Sequence, residues 1–200
     1  MNKPVICAGR LYCDLIFAGT PRLPTPGTEV FSSNLSLHAG GGAFITAATL
    51  SALGHRVSQF SIIPAAPFDE AVVSDLSKHK ISATLCKPAA PNTDPQVTAA
   101  IVSEGDRAFL TRCDGPAIPD ISAGFLQSHS HLHIGELKTL EENPKLLSAA
   151  RKEGLTISLD CGWQDRFDPN VARLIADVDV FLPNAREANA LSSIGIPSIG

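Results

Sequence analysis

The sequence predicts an α/β fold with a mainly parallel sheet covered on both faces, and three observations carry that expectation. Apolar runs of strand length recur at Val5 to Ala8, Val57 to Ile63, His131 to Ile134, Thr156 to Leu159 and Val178 to Leu182. Segments of helical period lie between most of them, the alternation that builds a parallel sheet with helices on either side. Helix punctuation falls where the alternation needs it: Gly54 and Gly154 end two of the segments, and Asp168-Pro169 opens another.

The first strand runs into Gly9-Arg10-Leu11-Tyr12-Cys13-Asp14. Asp14 is therefore expected just past the carboxyl end of a strand, the edge where open α/β sheets bind ligands. It serves there as a ligand carboxylate able to accept hydroxyls, or as a turn residue accepting backbone N–H bonds. The Pro-rich residues 21 to 27 read as a stiff connection into Thr28 to Leu37, where Leu35 and Leu37 alternate with Ser and Asn as in a half-exposed strand. Residues 38 to 54, HAGGGAFITAATLSALG, set three glycines before an Ala-rich helix from Ala43 to Leu53. Glycines there let a ligand approach the backbone, and the free N–H groups of a helix start bond its oxygens; a plain tight turn uses the same residues. Neither GxGxxG nor a Gly-Lys-Ser/Thr loop is present.

Asp69 opens the next helix, running to about Lys80. Val97 to Arg112 holds two strand-like runs flanking the turn Glu104-Gly105-Asp106 and predicts an antiparallel hairpin. With residues 28 to 37 it forms a small β-structure beside the main sheet, the kind of appendage that acts as a lid or a dimer contact. Arg107 and Arg112 on that hairpin meet an acidic substrate or sit on a solvated face. Leu140 to Glu153 predicts a further helix. The last segment, LPNAREANAL (182 to 191), turns a strand into a helix at Pro183, with Asn184 at the N-cap and Glu187 at the third helical position. That pair fits a metal–phosphate site, and equally a capping box that only satisfies backbone donors.

Composition limits the function. With 44% hydrophobic residues, 200 residues support one large domain or most of one. A net charge of −4 with no basic cluster argues against nucleic acid. The start MNKPVICAG is too short for a signal or membrane segment, so a cytoplasmic protein away from membranes is expected. Five scattered cysteines without a CxxC pair read as reduced thiols. His129, His131 and His133 share one face of a strand if the period is two, a geometry open to zinc, although hydrogen-bonded histidines are the default. A Gly-x-Ser-x-Gly elbow is absent, which leaves nucleophilic hydrolysis without support.

In order along the chain, these pieces resemble the PfkB (ribokinase-like) family of carbohydrate kinases. Gly9 to Asp14 match its G-x-x-x-x-D strand end, and residues 23 to 41 resemble its approach to the lid and its Gly-Gly motif. Leu53-Gly54 closes the following helix, TISLDCGW (156 to 163) resembles its strand ending in Asp, and LPNAREANAL resembles its N-x-x-E motif. The resemblance implies a three-layer α/β/α fold with a mainly parallel sheet plus a small β-lid. It implies transfer of the γ-phosphoryl group of ATP to a hydroxyl of a small sugar or sugar acid, with Mg2+. Asp14, Gly40 and Gly41 would hold the substrate, Asn184 and Glu187 the cofactor side, with Glu187 reaching magnesium through water. A β-lid with an exposed apolar face is a natural dimer surface, so a homodimer through it is a further expectation.

Two positions depart from the family pattern. Ile45 stands where the family carries a sugar-binding Asn, and Pro64-Ala65-Ala66 stands where it commonly has Gly-x-Asp. The family's catalytic aspartate, in a G-A-G-D motif, falls well downstream of N-x-x-E, so the catalytic base is expected beyond Gly200 and none of residues 1 to 200 is assigned that role. Residues 1 to 200 are thus expected to form a single kinase domain, incomplete at its C-terminus, with lid segments near 28 to 37 and 97 to 112. Ile45 keeps a second reading open, a catalytically inactive sugar- or nucleoside-binding relative acting as a sensor.

Overall fold

The computed structural model describes residues 3–90, 93, 96–103, 106–122, 124–164, 166–168 and 170–193. Five strands, β1 (Val5–Ala8), β4 (Val57–Phe60), β9 (His131–Ile134), β10 (Thr156–Asp160) and β11 (Val180–Leu182), form one wholly parallel sheet in the order β11-β10-β9-β1-β4. Helices cover both faces, the α/β architecture that the sequence predicts.

Strand alternation divides the core in two. Ile6 and Ala8 lie in register with Leu132 and Ile134, and these with Ile157 and Leu159. That apolar face packs against α3 (Leu137–Glu142), α4 (Lys145–Lys152) and α5 (Val171–Ala176) through Leu137, Leu140, Leu146, Ala150 and Val171. On the other face Cys7 and Val57 pack against Ala43, Phe44 and Ala47 of α1 (Gly42–Ala52) and Val72 and Leu76 of α2 (Asp69–Lys78). Among the described residues no helix is long and apolar enough to cross a membrane.

Three helices end alike. At α1, Gly54 N–H bonds the Ser51 carbonyl and His55 N–H the Leu50 carbonyl, with Gly54 at φ 86°. This is the paired closure that a left-handed residue allows. Gly154 does the same after α4. After α2 the left-handed position is filled by Lys80, at φ 56°, which stops that helix at Lys78.

A second sheet stands beside the first, in the order β3-β2-β7-β8. It comprises β2 (Tyr12–Ala18), β3 (Asn34–Gly40), β7 (Val97–Ser103) and β8 (Asp106–Arg112). β2 runs antiparallel to β3 and parallel to β7, and β7 antiparallel to β8. α2 anchors it: the Asp75 carboxylate accepts the Ala39 N–H at 3.0 Å and contacts His38 Nδ1 at 3.1 Å. A two-residue parallel pair, β5 (Ile62–Ile63) with β6 (Lys87–Pro88), completes the strands, and α6 (Ala185–Ser193) follows β11.

Several boundaries differ from the sequence reading, each for a local reason. Thr28 to Phe31 carry no strand; pairing with β2 begins at Asn34. Val57 to Ile63 is split, because Ser61 turns its hydroxyl to the Gly9 carbonyl and Ile62 N–H leaves the main ladder for the Ala117 carbonyl. The helix expected from Leu140 to Glu153 is two helices, since Pro144 forces Asn143 out of helical geometry, at φ −132° and ψ 59°. At the hairpin turn Glu104 and Gly105 lie outside the described residues, as does Pro169 of the Asp168-Pro169 start; α5 follows Asn170. Gly200, beyond which the catalytic base is expected, also lies outside the described residues, which end at Ser193.

Candidate functional site

Asp14 is not in a loop past β1 but inside β2, with His38 of β3 on one side and Thr98 of β7 on the other. The chain crosses from one sheet to the other in Gly9 to Leu11, so the carboxylate still reaches the carboxyl edge of the parallel strands. Burial pushes the Asp14 carboxyl above the usual carboxylate range, while the Thr98 hydroxyl and His38 pull it back. Gly40, opposite Tyr12 on β3, makes the room: a Cβ there would lie within 2.5 Å of all three terminal atoms of Asp14. The other two glycines serve the chain's own backbone. At Gly41, with φ 100°, a side chain would strike the Arg10 carbonyl, and at Gly42 the carbonyl of Gly135. The triplet thus seats the start of α1 against the ends of β1 and β9.

Period-two alternation turns one face of the small sheet toward the parallel sheet's edge. Between them lies a cleft of about 810 Å³ lined by Tyr12, Asp14, Gly41, Ile45, Thr98 and Arg107, among others. Its far wall comes from the loops after β9 and β10 and the first turn of α3: Glu136, Lys138, Cys161, Trp163 and Gln164. Asp14 and Gly41 line this cleft; Asn184 and Glu187 do not. They sit next to it, where the Arg186 guanidinium lies 6.0 Å from the Trp163 ring centre.

Asn184 and Glu187 form a reciprocal capping box. Asn184 Oδ1 accepts the N–H groups of Arg186 and Glu187 at 2.9 and 3.0 Å, and Glu187 Oε2 accepts the Asn184 N–H at 2.8 Å. Glu187 is only 7% exposed. The cap accounts for one carboxylate oxygen, Oε2.

Glu136 and Arg10 carry more of the site than the sequence suggested. Glu136 follows β9 and lines the cleft; its Oε1 accepts the Thr139 hydroxyl at 2.8 Å and the Arg10 N–H at 3.4 Å. Burial raises its pKa, opposed by Thr139 and Arg10. Arg10, 3% exposed, meets both Glu142 carboxylate oxygens, at 2.5 and 2.6 Å, and the Gln96 side chain at 3.0 Å. This buried fork ties the β1–β2 crossing to α3 and to the start of β7. A Gly-Arg pair after a strand and a Glu after the strand HLHIG were the available signals. Arg107 lines the cleft, whereas Arg112 pairs with Asp114 at 3.0 Å.

The histidines of β9 lie on the face opposite Leu132 and Ile134 and bond to hydroxyls. His131 contacts Thr156 Oγ1 at 2.7 Å and Ser158 Oγ at 2.8 Å, His133 contacts Ser158 Oγ at 2.9 Å, and His129 Nε2, just before the strand, lies 3.1 Å from Ser58 Oγ. Burial lowers all three, His133 to about 4. Among the described residues no cluster of three or more His, Cys, Asp or Glu side chains is placed to hold a metal.

Known structures share this fold. The chain resembles a PfkB family carbohydrate kinase from Listeria grayi, at 19% identity and TM-score 0.72, covering 96% of this chain and 63% of that one. It resembles Arabidopsis thaliana ribokinase, solved with ribose and ATP, at 17% identity and TM-score 0.78, covering 96% and 64%. Halothermothrix orenii fructokinase matches at 19% identity and TM-score 0.77, covering 94% and 70%. The chain thus spans less than two thirds of the first two proteins. Among curated proteins no sequence matches it. The model of the pfkB family carbohydrate kinases matches residues 3–199, and the chain belongs to that family.

Proposed function

We propose that this protein is an ATP- and Mg2+-dependent kinase that transfers the γ-phosphoryl group to a hydroxyl of a small sugar-like substrate in the cytoplasm. The observation that carries the reading is Asp14: a half-buried carboxylate given its space by Gly40, at the base of a cleft on the ligand-binding edge of a parallel sheet. In the transfer, the bond between the γ-phosphorus and its bridging oxygen breaks, a bond to the substrate hydroxyl oxygen forms, and ADP leaves. The hydroxyl proton passes to a base that the family resemblance assigns to sequence beyond Gly200, and to none of residues 1–200.

The residues at hand position and shield. Asp14 accepts substrate hydroxyls, Gly40 gives that carboxylate its space, Gly41 borders the cleft beside it, and Glu136 offers a second carboxylate across the cleft. The small sheet, as a lid, excludes water and so favours the sugar over water as acceptor. Glu187 suits the metal side, because it is a carboxylate at a helix start with only Oε2 used in the cap. Glu187 would hold magnesium there through water, and the ion would supply neutralisation of phosphate charge, which together with positioning is what phosphoryl transfer requires. The exposed outer residues Leu35, Leu37 and Leu110 of the small sheet suit a homodimer contact.

ADP release measured against a panel of sugars, sugar acids and nucleosides tests the reading. Turnover with at least one of them, lost in D14A, is expected. Ligand-induced thermal shifts without ADP release from any would replace it with a sugar-binding sensor.

A further inference from the structure

The inner face of the small sheet is graded from polar to apolar. Strand register sets Asp14, Thr98 and Thr111 side by side, and two residues further along the strands it sets Ile16, Ala100 and Phe109 side by side. At about 3.3 Å per residue these rows lie about 7 Å apart, close to the span of one sugar ring. A substrate whose hydroxyl meets Asp14 therefore reaches the apolar row with whatever it carries on the far side of its ring.

The facing walls continue the apolar surface. Ile45, from the first turn of α1, is 60% exposed, Phe109 58% and Trp163 66%, and all three line the cleft. Large side chains left this open to water favour a ligand that covers them. The Arg107 guanidinium stacks over the Phe109 ring at 5.5 Å, which occupies one side of the cation that the small sheet contributes, among the described residues, to the cleft wall. A polyol alone leaves this surface wet.

We infer that the substrate is a hydroxylated ring bearing a flat apolar substituent, its hydroxyls at Asp14 and its substituent against Ile16, Ile45, Phe109 and Trp163. The hydroxyl end rests on the kinase reading above; the apolar end rests on the wall itself. A nucleoside base and an aromatic aglycone share this chemistry.

Trp163 is the one tryptophan of residues 1–200 and lines the cleft, so its fluorescence reports binding. Ribose, glucose and gluconate are titrated against adenosine, uridine and phenyl glucoside, calorimetry repeats the affinities, and ADP release is followed in parallel. The apolar-substituted compounds are expected to bind at least about tenfold more tightly than their parent sugars. In I45N and in F109A, both checked for native melting, that ratio falls toward one. Tighter binding of nucleosides alone assigns the wall to a base; tighter binding of phenyl glucoside as well assigns it to any flat ring. Equal affinities, preference for gluconate, or a ratio that neither variant moves overturns the inference while ADP release sustains the kinase reading. A preserved ratio without ADP release from any compound defeats the kinase reading and leaves the inference standing.

Discussion

Replacing Gly40 with alanine separates the placement of the Asp14 carboxylate from the fold that carries it. Gly40 lies in a strand without left-handed backbone, so alanine suits its conformation, and the nearest atoms its Cβ meets all belong to the Asp14 carboxylate. Reaching ordinary contact at 3.4 Å or more obliges that carboxylate to retreat by about an ångström or more. Overpacking of this kind costs about 1–3 kcal/mol, and a misplacement of about 1 Å at a reacting site lowers turnover about 100-fold. Urea unfolding of G40A, D14A and the double variant, with ADP release for G40A, measures both effects. Once Asp14 is alanine the clash is gone, so adding G40A to D14A should cost less than about 0.5 kcal/mol, leaving a coupling of at least about 0.5 kcal/mol. Strictly additive costs, or G40A turning over like wild type, would refute the placement of Asp14 against Gly40.

Other outcomes follow from single residues. K80G relieves a left-handed lysine at the end of α2 and should raise Tm by about 1–3 °C, allowing for the added freedom of glycine in the unfolded chain; a lower Tm in thermal unfolding counts against that closure. His133 is held to about 4 in the fold, mainly by burial. The unfolded chain therefore takes up its proton first as pH falls, so stability is complete above about 6.5 and is lost from there down to about 4, by at most about 3 kcal/mol. Urea midpoints at pH 7.5 and 4.5 should fall less in H133L than in wild type, with the rest of the loss belonging to groups such as His129 and His131; identical slopes would remove His133 from the account.

Much of the parallel sheet was legible because its strands are short apolar runs bounded by helix punctuation. β1 and β9 fall at the bounds their sequences suggest, and Gly54 and Gly154 end their helices by the expected chemistry. β2 was not legible. It begins three residues after Gly9, is partly covered along most of its length and carries Asp14 in its interior, so neither alternation nor a continuous apolar run marks it. Pro144 was visible, yet the periodicity around it masked the break between α3 and α4. Of the site, the glycines and Asp14 stood out as residue types. What they touch did not: Gly41 and Gly42 make room for carbonyls of Arg10 and Gly135, the latter more than ninety residues away. Glu136, Arg107 and Trp163 enter the cleft from three separate elements, a meeting that only the crossing of two sheets brings about.

Asn184 and Glu187 form a helix cap, and a single substitution separates that role from the magnesium role proposed for Glu187. Glutamine also fills the third helical position of a capping box, so E187Q keeps an acceptor for the Asn184 N–H while losing the charge. E187A loses both. If the pair is a cap alone, E187Q matches wild type in stability and turnover, and E187A is only less stable, by about 1 kcal/mol. If Glu187 also holds magnesium through water, E187Q keeps its melting temperature yet needs at least about tenfold more magnesium for half-maximal turnover, because a hard cation prefers the carboxylate. The second outcome is expected, since the cap uses Oε2 and the helix start lies beside the Trp163 wall of the cleft. A magnesium titration of E187Q that overlays wild type would return the pair to helix capping and move the search for the metal ligand to other carboxylates at the same sheet edge, of which Asp160, at the end of β10 and itself raised by burial, is the next to test.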